Sequence, residues 1–145
     1  MVCWELLVQR LCKLNTDGCS LGNLGVSGGG GVLRDSSGAF LFGVSIPFGE
    51  LTCFQAKTKS LLFGVQQCLL RGFSRIQVEV NSLMLVNILL DKSRCPWLIR
   101  FEVDALKAIH GLEWTVGHCF CEMNQVADVL SKFGAHSSAI IIYTS

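Results

Sequence analysis

The order in which hydrophobic periodicity changes along the chain is what most restricts its possible folds. Residues 11–17 alternate with period two, with Lys13, Asn15 and Asp17 on one side and Cys12, Leu14 and Thr16 on the other, as in a strand. Residues 18–31 are glycine-rich. They lack the G-K-[ST] ending of a phosphate loop and precede no helical pattern, so they predict a turn feeding a bulged strand. Residues 32–34 and 39–48 flank the turn signal Asp35-Ser36-Ser37-Gly38 and predict a β-hairpin. The period then becomes helical. Thr52 and Gln55 have capping-box spacing, Gly72 stands where a C-terminal glycine belongs, and Phe54, Leu61, Leu62, Val65 and Leu69 share a face.

Residues 76–80 form a short β-rich run, and Ser82 is placed to cap a short helix over residues 83–90. Pro96 marks another helix start, after which Leu98, Phe101, Ala105, Leu106 and Ile109 share a face up to Gly111. Leu112, Trp114, Val116, His118 and Phe120 alternate as a fifth strand, and Asn124 is placed to cap a final helix carrying Val126, Leu130 and Phe133. The order β-β-β-α-β-α-α-β-α predicts an α/β fold, a mixed sheet with helices packed on it.

The 145 residues suffice for one hydrophobic core, and the half that is apolar excludes a disordered chain. Only 16% is charged, against roughly 25% in an average soluble domain, so some apolar surface is expected to be exposed or covered by a partner. A net charge of +1 gives no argument for nucleic acid by itself. The eight cysteines contain no C-x-x-C pair, and only Cys119 and Cys121 are close neighbours, which predicts reduced structural thiols in an intracellular protein. Glu5 and Arg10 interrupt the apolar run at the start, against a signal peptide, and residues 139–143 are too few to span a bilayer. The expected layout is an extension over residues 1–10, a domain over 11–136 and a tail over 137–145, the tail being a loose end or an added edge strand.

Two residues suggest a site. Asp17, followed by Gly18, is expected at the end of its strand, on the carboxyl edge where open α/β sheets bind ligands. Asp128 falls near the first turn of the last helix, where the dipole favours an anion. Each is equally explained as a turn or dipole-compensating aspartate. Lys57 lies between Phe54 and Leu61 on the helical wheel, within the apolar face, so it either snorkels to an edge or meets an acid; Lys59 is expected to face solvent.

Five blocks occur in order: Leu14-Asn15-Thr16-Asp17-Gly18, Gly30-Gly31-Val32-Leu33-Arg34-Asp35, Phe54-Gln55-Ala56, Val78-Glu79-Val80-Asn81-Ser82 and Asn124-Gln125-Val126-Ala127-Asp128. Over residues 11–136 they resemble the plant ribonuclease H-like domains related to retroelement reverse-transcriptase polyproteins. The resemblance implies a five-stranded mixed sheet, its first three strands antiparallel, with helices on both faces. Active relatives cut the RNA strand of an RNA–DNA hybrid with two Mg²⁺ ions held by four carboxylates. Asp17 matches the first-strand aspartate, Asp128 the last carboxylate, and His118 the mobile histidine thought to assist proton transfer or product release.

The other two carboxylates are missing. Ala56-Lys57 stands where the family usually has Ala-Glu, and Asn81-Ser82 where it has Asp-Ser. Both replacements are one-base, G-to-A changes. The four positions then carry −2 from the aspartates and +1 from Lys57, a formal −1 in place of −4. Mg²⁺ wants anionic oxygen in near-octahedral geometry, so two-metal binding is expected to be weak or lost, with Lys57 replacing the metal and neutralising Asp17 and Asp128. Glu79 points to the same face as Asn81, but glutamate is usual there and is not expected to compensate.

The expected function is a ribonuclease H-type domain with impaired catalysis. The alternatives are a non-catalytic module for RNA–DNA hybrid or double-stranded nucleic acid, an enzyme with an altered metal site, a protein-interaction domain, or a decaying retroelement-derived copy. Lys92, Arg94, Arg100 and Lys107 are the sparse basic set of the helical region and predict weak, salt-sensitive phosphate binding. No membrane role is expected.

Overall fold

Turn chemistry and strand propensity build the first half of the sheet. β1 (Cys12–Leu21), β2 (Gly25–Arg34) and β3 (Phe40–Leu51) pair antiparallel in sequence order. The β2–β3 turn closes through Asp35, whose Oδ1 accepts from the amides of Ser37 and Ala39, with Gly38 at φ +90°. The computed structural model describes residues 11–22 and 25–144, so the expected extension over residues 1–10 lies outside the described residues. β4 (Arg75–Val80) adds parallel to β1, and β5 (Glu113–His118) parallel to β4. The strand order is β5-β4-β1-β2-β3-β6.

The α/β class, the mixed sheet and its antiparallel first three strands are as expected, but there are six strands instead of five. β6 (Ile141–Thr144) comes from the tail and pairs antiparallel with Phe42–Ser45 of β3. Its Ile-Ile-Tyr run suits a pleated, half-buried edge, so of the two readings of the tail the edge strand holds. β1 is also longer than its alternation suggested. It continues past Asp17 to Leu21, so Asp17 lies within the strand instead of ending it. From Leu14 to Cys19 both faces are buried, because β1 is a central strand covered on each side. The glycine-rich stretch supplies the bulged strand as expected: Gly28–Gly31 lie inside β2, whose register shifts between Ser27 and Gly28, while Gly18 still belongs to β1.

The first long helix, α1 (Cys53–Leu70), starts at a complete capping box. Thr52 accepts from the Gln55 amide and Gln55 accepts from the Thr52 amide. It stops before Gly72, at φ +86°. Ser82 caps α2 (Leu83–Leu89) by accepting from the Leu85 amide. Pro96 begins a 3₁₀ turn, Trp97–Ile99, that leads into α3 (Arg100–Lys107). A second 3₁₀ turn, Cys121–Asn124, leads into α4 (Gln125–Ala135).

Glycines in β2 fix which helix covers which face. A Cβ on Gly29 would meet Ser60 of α1, whereas a Cβ on Gly28 or Gly30 would meet the backbone of α4. The two helices therefore lie on opposite faces of the sheet. The large core is on the α1 side, where Leu14, Leu33, Val44, Leu61, Val65, Ile76, Val78, Leu85 and Leu106 are fully buried. Each such side chain contributes about 1.5–3 kcal/mol by leaving water. Among the described residues the α4 side has no such layer of large side chains.

Two helical faces differ from their sequence patterns. The buried residues here are Ile99 of the 3₁₀ turn and Glu102, Val103 and Leu106 of α3, while Leu98 and Phe101 are exposed. The 3₁₀ start turns about 120° per residue against 100° in an α-helix, which shifts the phase of everything after Pro96. In α4 the buried residues are Ala127, Ser131, Gly134 and Ala135, with Val126 and Phe133 facing outward. Only small residues fit where this helix meets the glycine strand. Among the described residues no helix is long and apolar enough to cross a membrane. Burial pushes the Cys68 thiol up to about 12.

Gly28→Ala tests this packing, since its Cβ would lie 2.2 Å from the Ala135 amide nitrogen and 2.3 Å from the Ser131 carbonyl oxygen. Displacing a helix backbone should cost about 1–3 kcal/mol or more. Gly117→Ala, with nothing within 4 Å of the new methyl, should stay within about 0.5 kcal/mol of the parent. Urea midpoints of the two variants make the comparison.

Candidate functional site

Strand register collects the first two positions. β1 and β4 pair in parallel up to Asn15 and Glu79. The same register, carried two residues further, brings Asp17 level with Asn81, just beyond the end of β4. Asp17 is thus at the carboxyl edge of the parallel part of the sheet although β1 itself runs on.

Gly18 lets the third position, 57, approach. A Cβ there would lie 2.3 Å from the Ala56 carbonyl carbon and 2.4 Å from the Lys57 amide nitrogen, so α1 rests directly on the β1 backbone. Lys57 is carried over the edge as a result. Its Nζ lies 3.9 Å from Asp17 Oδ1 and donates to Asn81 Oδ1 at 3.3 Å. The Lys57 side chain is 24% exposed and that of Asp17 only 4%. Asn81 completes its amide by donating from Nδ2 to the Cys121 sulfur at 3.6 Å.

Asp128 comes from the opposite face, in the first turn of α4. Its carboxyl adjoins that of Asp17, but its own ion-pair partner is Lys132, one helical turn on, at 3.0 Å. Lys57 pairs with Asp17 and does not reach Asp128, so the expectation that one ammonium neutralises both aspartates is corrected to two separate pairs. The pairing reflects where the two groups start: Lys57 arrives over β1, and Lys132 already stands beside Asp128 on its own helix.

His118 ends β5 at the level of Val80 and is exposed. Its ring meets Phe120 edge-on at 5.8 Å and makes no hydrogen bond or ion pair with the aspartates, Lys57 or Asn81. Glu79 is held by Lys13 at 2.8 Å, which commits its carboxylate elsewhere. Lys59, expected in solvent, is pinned at 2.8 Å to the buried Glu102, because α3 packs on α1 there.

Burial is the largest influence on Asp17 and pushes its carboxyl above the ordinary carboxylate range. The Gly18 amide, donating at 2.8 Å, and the Lys57 ammonium pull it down, while the neighbouring Asp128 pushes it up. The net shift is upward.

Asn124 has a role that its capping position concealed. It makes no side-chain cap; it donates to the Thr16 carbonyl at 2.9 Å and accepts from Asn15 Nδ2 at 3.1 Å. These two buried bonds fasten the start of α4 to β1, beside Asp17. Lys132 is the other residue missed, and its i,i+4 spacing from Asp128 was the available signal.

A six-stranded mixed sheet with this order, helices on both faces and the Asp17–Asp128 pair at its edge defines a ribonuclease H-like domain. The sequence profile described as Reverse transcriptase-like matches residues 15–134, and the chain belongs to that family. An Arabidopsis thaliana protein named "Putative ribonuclease H protein" is 30% identical over 135 residues, covering 92% of this chain. The chain spans 22% of that protein's length. The crystal structure of RNase H1 from the archaeon Halobacterium salinarum superposes with a TM-score of 0.81 at 24% identity, over 87% of this chain and 98% of that one. LC11-RNase H1, solved in complex with an RNA/DNA hybrid, also gives 0.81, at 22% identity, over 86% and 96% of the two chains. These likenesses establish the fold.

The raised Asp17 carboxyl gives a pH prediction. The folded state binds this proton more tightly than the unfolded chain, so its contribution is full below the unfolded value and is lost as pH rises through the folded one. Asp17→Asn, which keeps the oxygen facing Gly18, should raise Tm at neutral pH by a few degrees, the scale of about 1 kcal/mol in a domain of this size. The gain should vanish toward acid pH. Thermal melts from acid to neutral pH read both effects.

Proposed function

We propose that this chain is a ribonuclease H-type nucleic-acid domain that has lost two-metal hydrolysis, with the Lys57 ammonium standing where a divalent ion would be held. The position of Lys57 Nζ, 3.9 Å from Asp17 and 3.3 Å from Asn81, carries this reading. The residues at the four family positions do not fit Mg²⁺. Asp17 and Asp128 are the anionic donors, Asn81 offers a neutral oxygen already occupied by Lys57, and Lys57 offers no lone pair. Among the described residues no three His, Cys, Asp or Glu side chains converge as metal ligands. An ammonium about 4 Å from a divalent ion costs roughly 8 kcal/mol at an effective dielectric near 20. Hydrolysis that needs two ions is correspondingly unsupported.

Nucleic acid as partner draws on the family and on the hybrid bound by LC11-RNase H1. The domain would bind RNA–DNA hybrid or double-stranded nucleic acid through a small number of phosphate contacts, with a shallow salt slope. His118, exposed at the sheet edge, would retain no proton-transfer role without the metals. A second reading, a protein-interaction domain, draws on Val126, Val129 and Phe133, which line the outer face of α4 and are all exposed.

The charge reversal can be undone. Lys57→Glu with Asn81→Asp restores four carboxylates, and the double variant should gain Mg²⁺-dependent cleavage of a labelled RNA–DNA hybrid and a Mg²⁺-dependent rise in Tm. The parent should show neither. Cleavage by the parent in Mg²⁺ or Mn²⁺ would sink the proposal, as would a double variant that is folded yet indifferent to metal.

A further inference from the structure

The Lys57 ammonium has more hydrogen-bonding capacity than its neighbours use. It carries three N–H donors, and among the described residues one of them is engaged, with Asn81 Oδ1. Asp17 Oδ1 at 3.9 Å is close enough for ionic attraction but beyond hydrogen-bond reach. Two donors are left for a ligand, on a side chain that is still 24% exposed. The surrounding charge is balanced, since Lys57 answers Asp17 and Lys132 answers Asp128. A four-carboxylate site without metal would repel a phosphodiester; this neutral one does not.

We infer that Lys57 takes a non-bridging phosphate oxygen of a nucleic-acid backbone directly, so that the domain binds its ligand without divalent metal. This rests on the nucleic-acid reading above and adds to it which atom makes the contact and what the contact no longer requires. A lysine suits the task as a compact point charge that forms a short, charge-assisted hydrogen bond with phosphate. It has no open coordination position at which a water could be activated. The same group that permits binding thus leaves the phosphodiester intact.

Fluorescence anisotropy of the full chain with a labelled RNA–DNA hybrid tests this, in EDTA and in Mg²⁺ at matched ionic strength. The two dissociation constants should agree within about twofold, since ionic strength and not a bound metal sets them. Lys57→Gln should weaken binding about tenfold, the scale of one hydrogen bond to a charged group. It should also flatten the salt slope by about 0.9, while Lys57→Arg retains most of the affinity. Hybrids carrying one neutral methylphosphonate at successive positions, read with the parent protein, should show a single position that costs about tenfold. That arm holds even if Lys57→Gln fails to fold.

Binding that needs Mg²⁺, a folded Lys57→Gln that binds like the parent, or a methylphosphonate scan with no sensitive position would each overturn the inference while leaving a non-cutting nucleic-acid domain in place. Absence of binding in both buffers, or cleavage of the hybrid, would overturn the underlying reading as well.

Discussion

Direct contact between helix backbone and strand backbone is the constraint on which this structure depends. At Gly18 the first turn of α1 lies on β1, and at Gly28 and Gly30 the length of α4 lies on β2. Gly134 returns the contact from the helix side, where a Cβ would fall 2.6 Å from the Ile46 carbonyl oxygen. An ordinary helix-on-sheet layer interposes side chains and keeps the two backbones about 10 Å apart. Here the spacing collapses at three strand glycines, and that collapse brings position 57 and position 128 onto Asp17 from opposite faces. The site is a by-product of small-residue packing, and its geometry does not depend on which side chains stand at 57 and 81.

Given that geometry, charge decides what the cluster can do. Every ionised group near the edge has a partner: Asp17 with Lys57, Asp128 with Lys132, Glu79 with Lys13. Asn81 extends the pattern by turning its oxygen to the ammonium and its amide nitrogen to the Cys121 sulfur. Burial still disfavours the Asp17 carboxylate, so pairing with Lys57 offsets only part of its desolvation. The exposed part of Lys57 is therefore a cationic surface that this edge presents above a buried acid.

Much of this was legible in the sequence because it depends on local rules. The capping box at Thr52 and Gln55, the glycine after α1 and the Asp35 turn each follow from a few residues and appear as expected. The position of Lys57 inside an apolar helical face already required an acid or an edge, and it finds both. What was not legible depends on tertiary context. The outward turn of Val126 and Phe133 follows from glycines about 100 residues away in sequence, which admit only Ala127, Ser131 and Ala135 against the sheet. The phase of α3 depends on a 3₁₀ turn that its apolar spacing did not announce. Asn124 looked like a cap because its position is that of a cap; its side chain was claimed by Asn15 and the Thr16 carbonyl, a long-range preference that no local pattern records.

The substitutions at 57 and 81 also change how stability is coupled to the surroundings. A site of four facing carboxylates is destabilised by its own repulsion, and a divalent ion that binds only the folded state offsets this in proportion to its concentration. Such a domain is firmest when loaded. Replacing one acid by an ammonium and another by an amide removes the repulsion within the chain itself, through bonds present whenever the chain is folded. On the function proposed above, the fold would be indifferent to metal supply, and the glycine contacts, the Asn15–Asn124 fastening and the α1 core do not involve the side chains at 57 and 81. That separation of framework from charge is why a chain with half the expected carboxylates can keep so regular a ribonuclease H architecture.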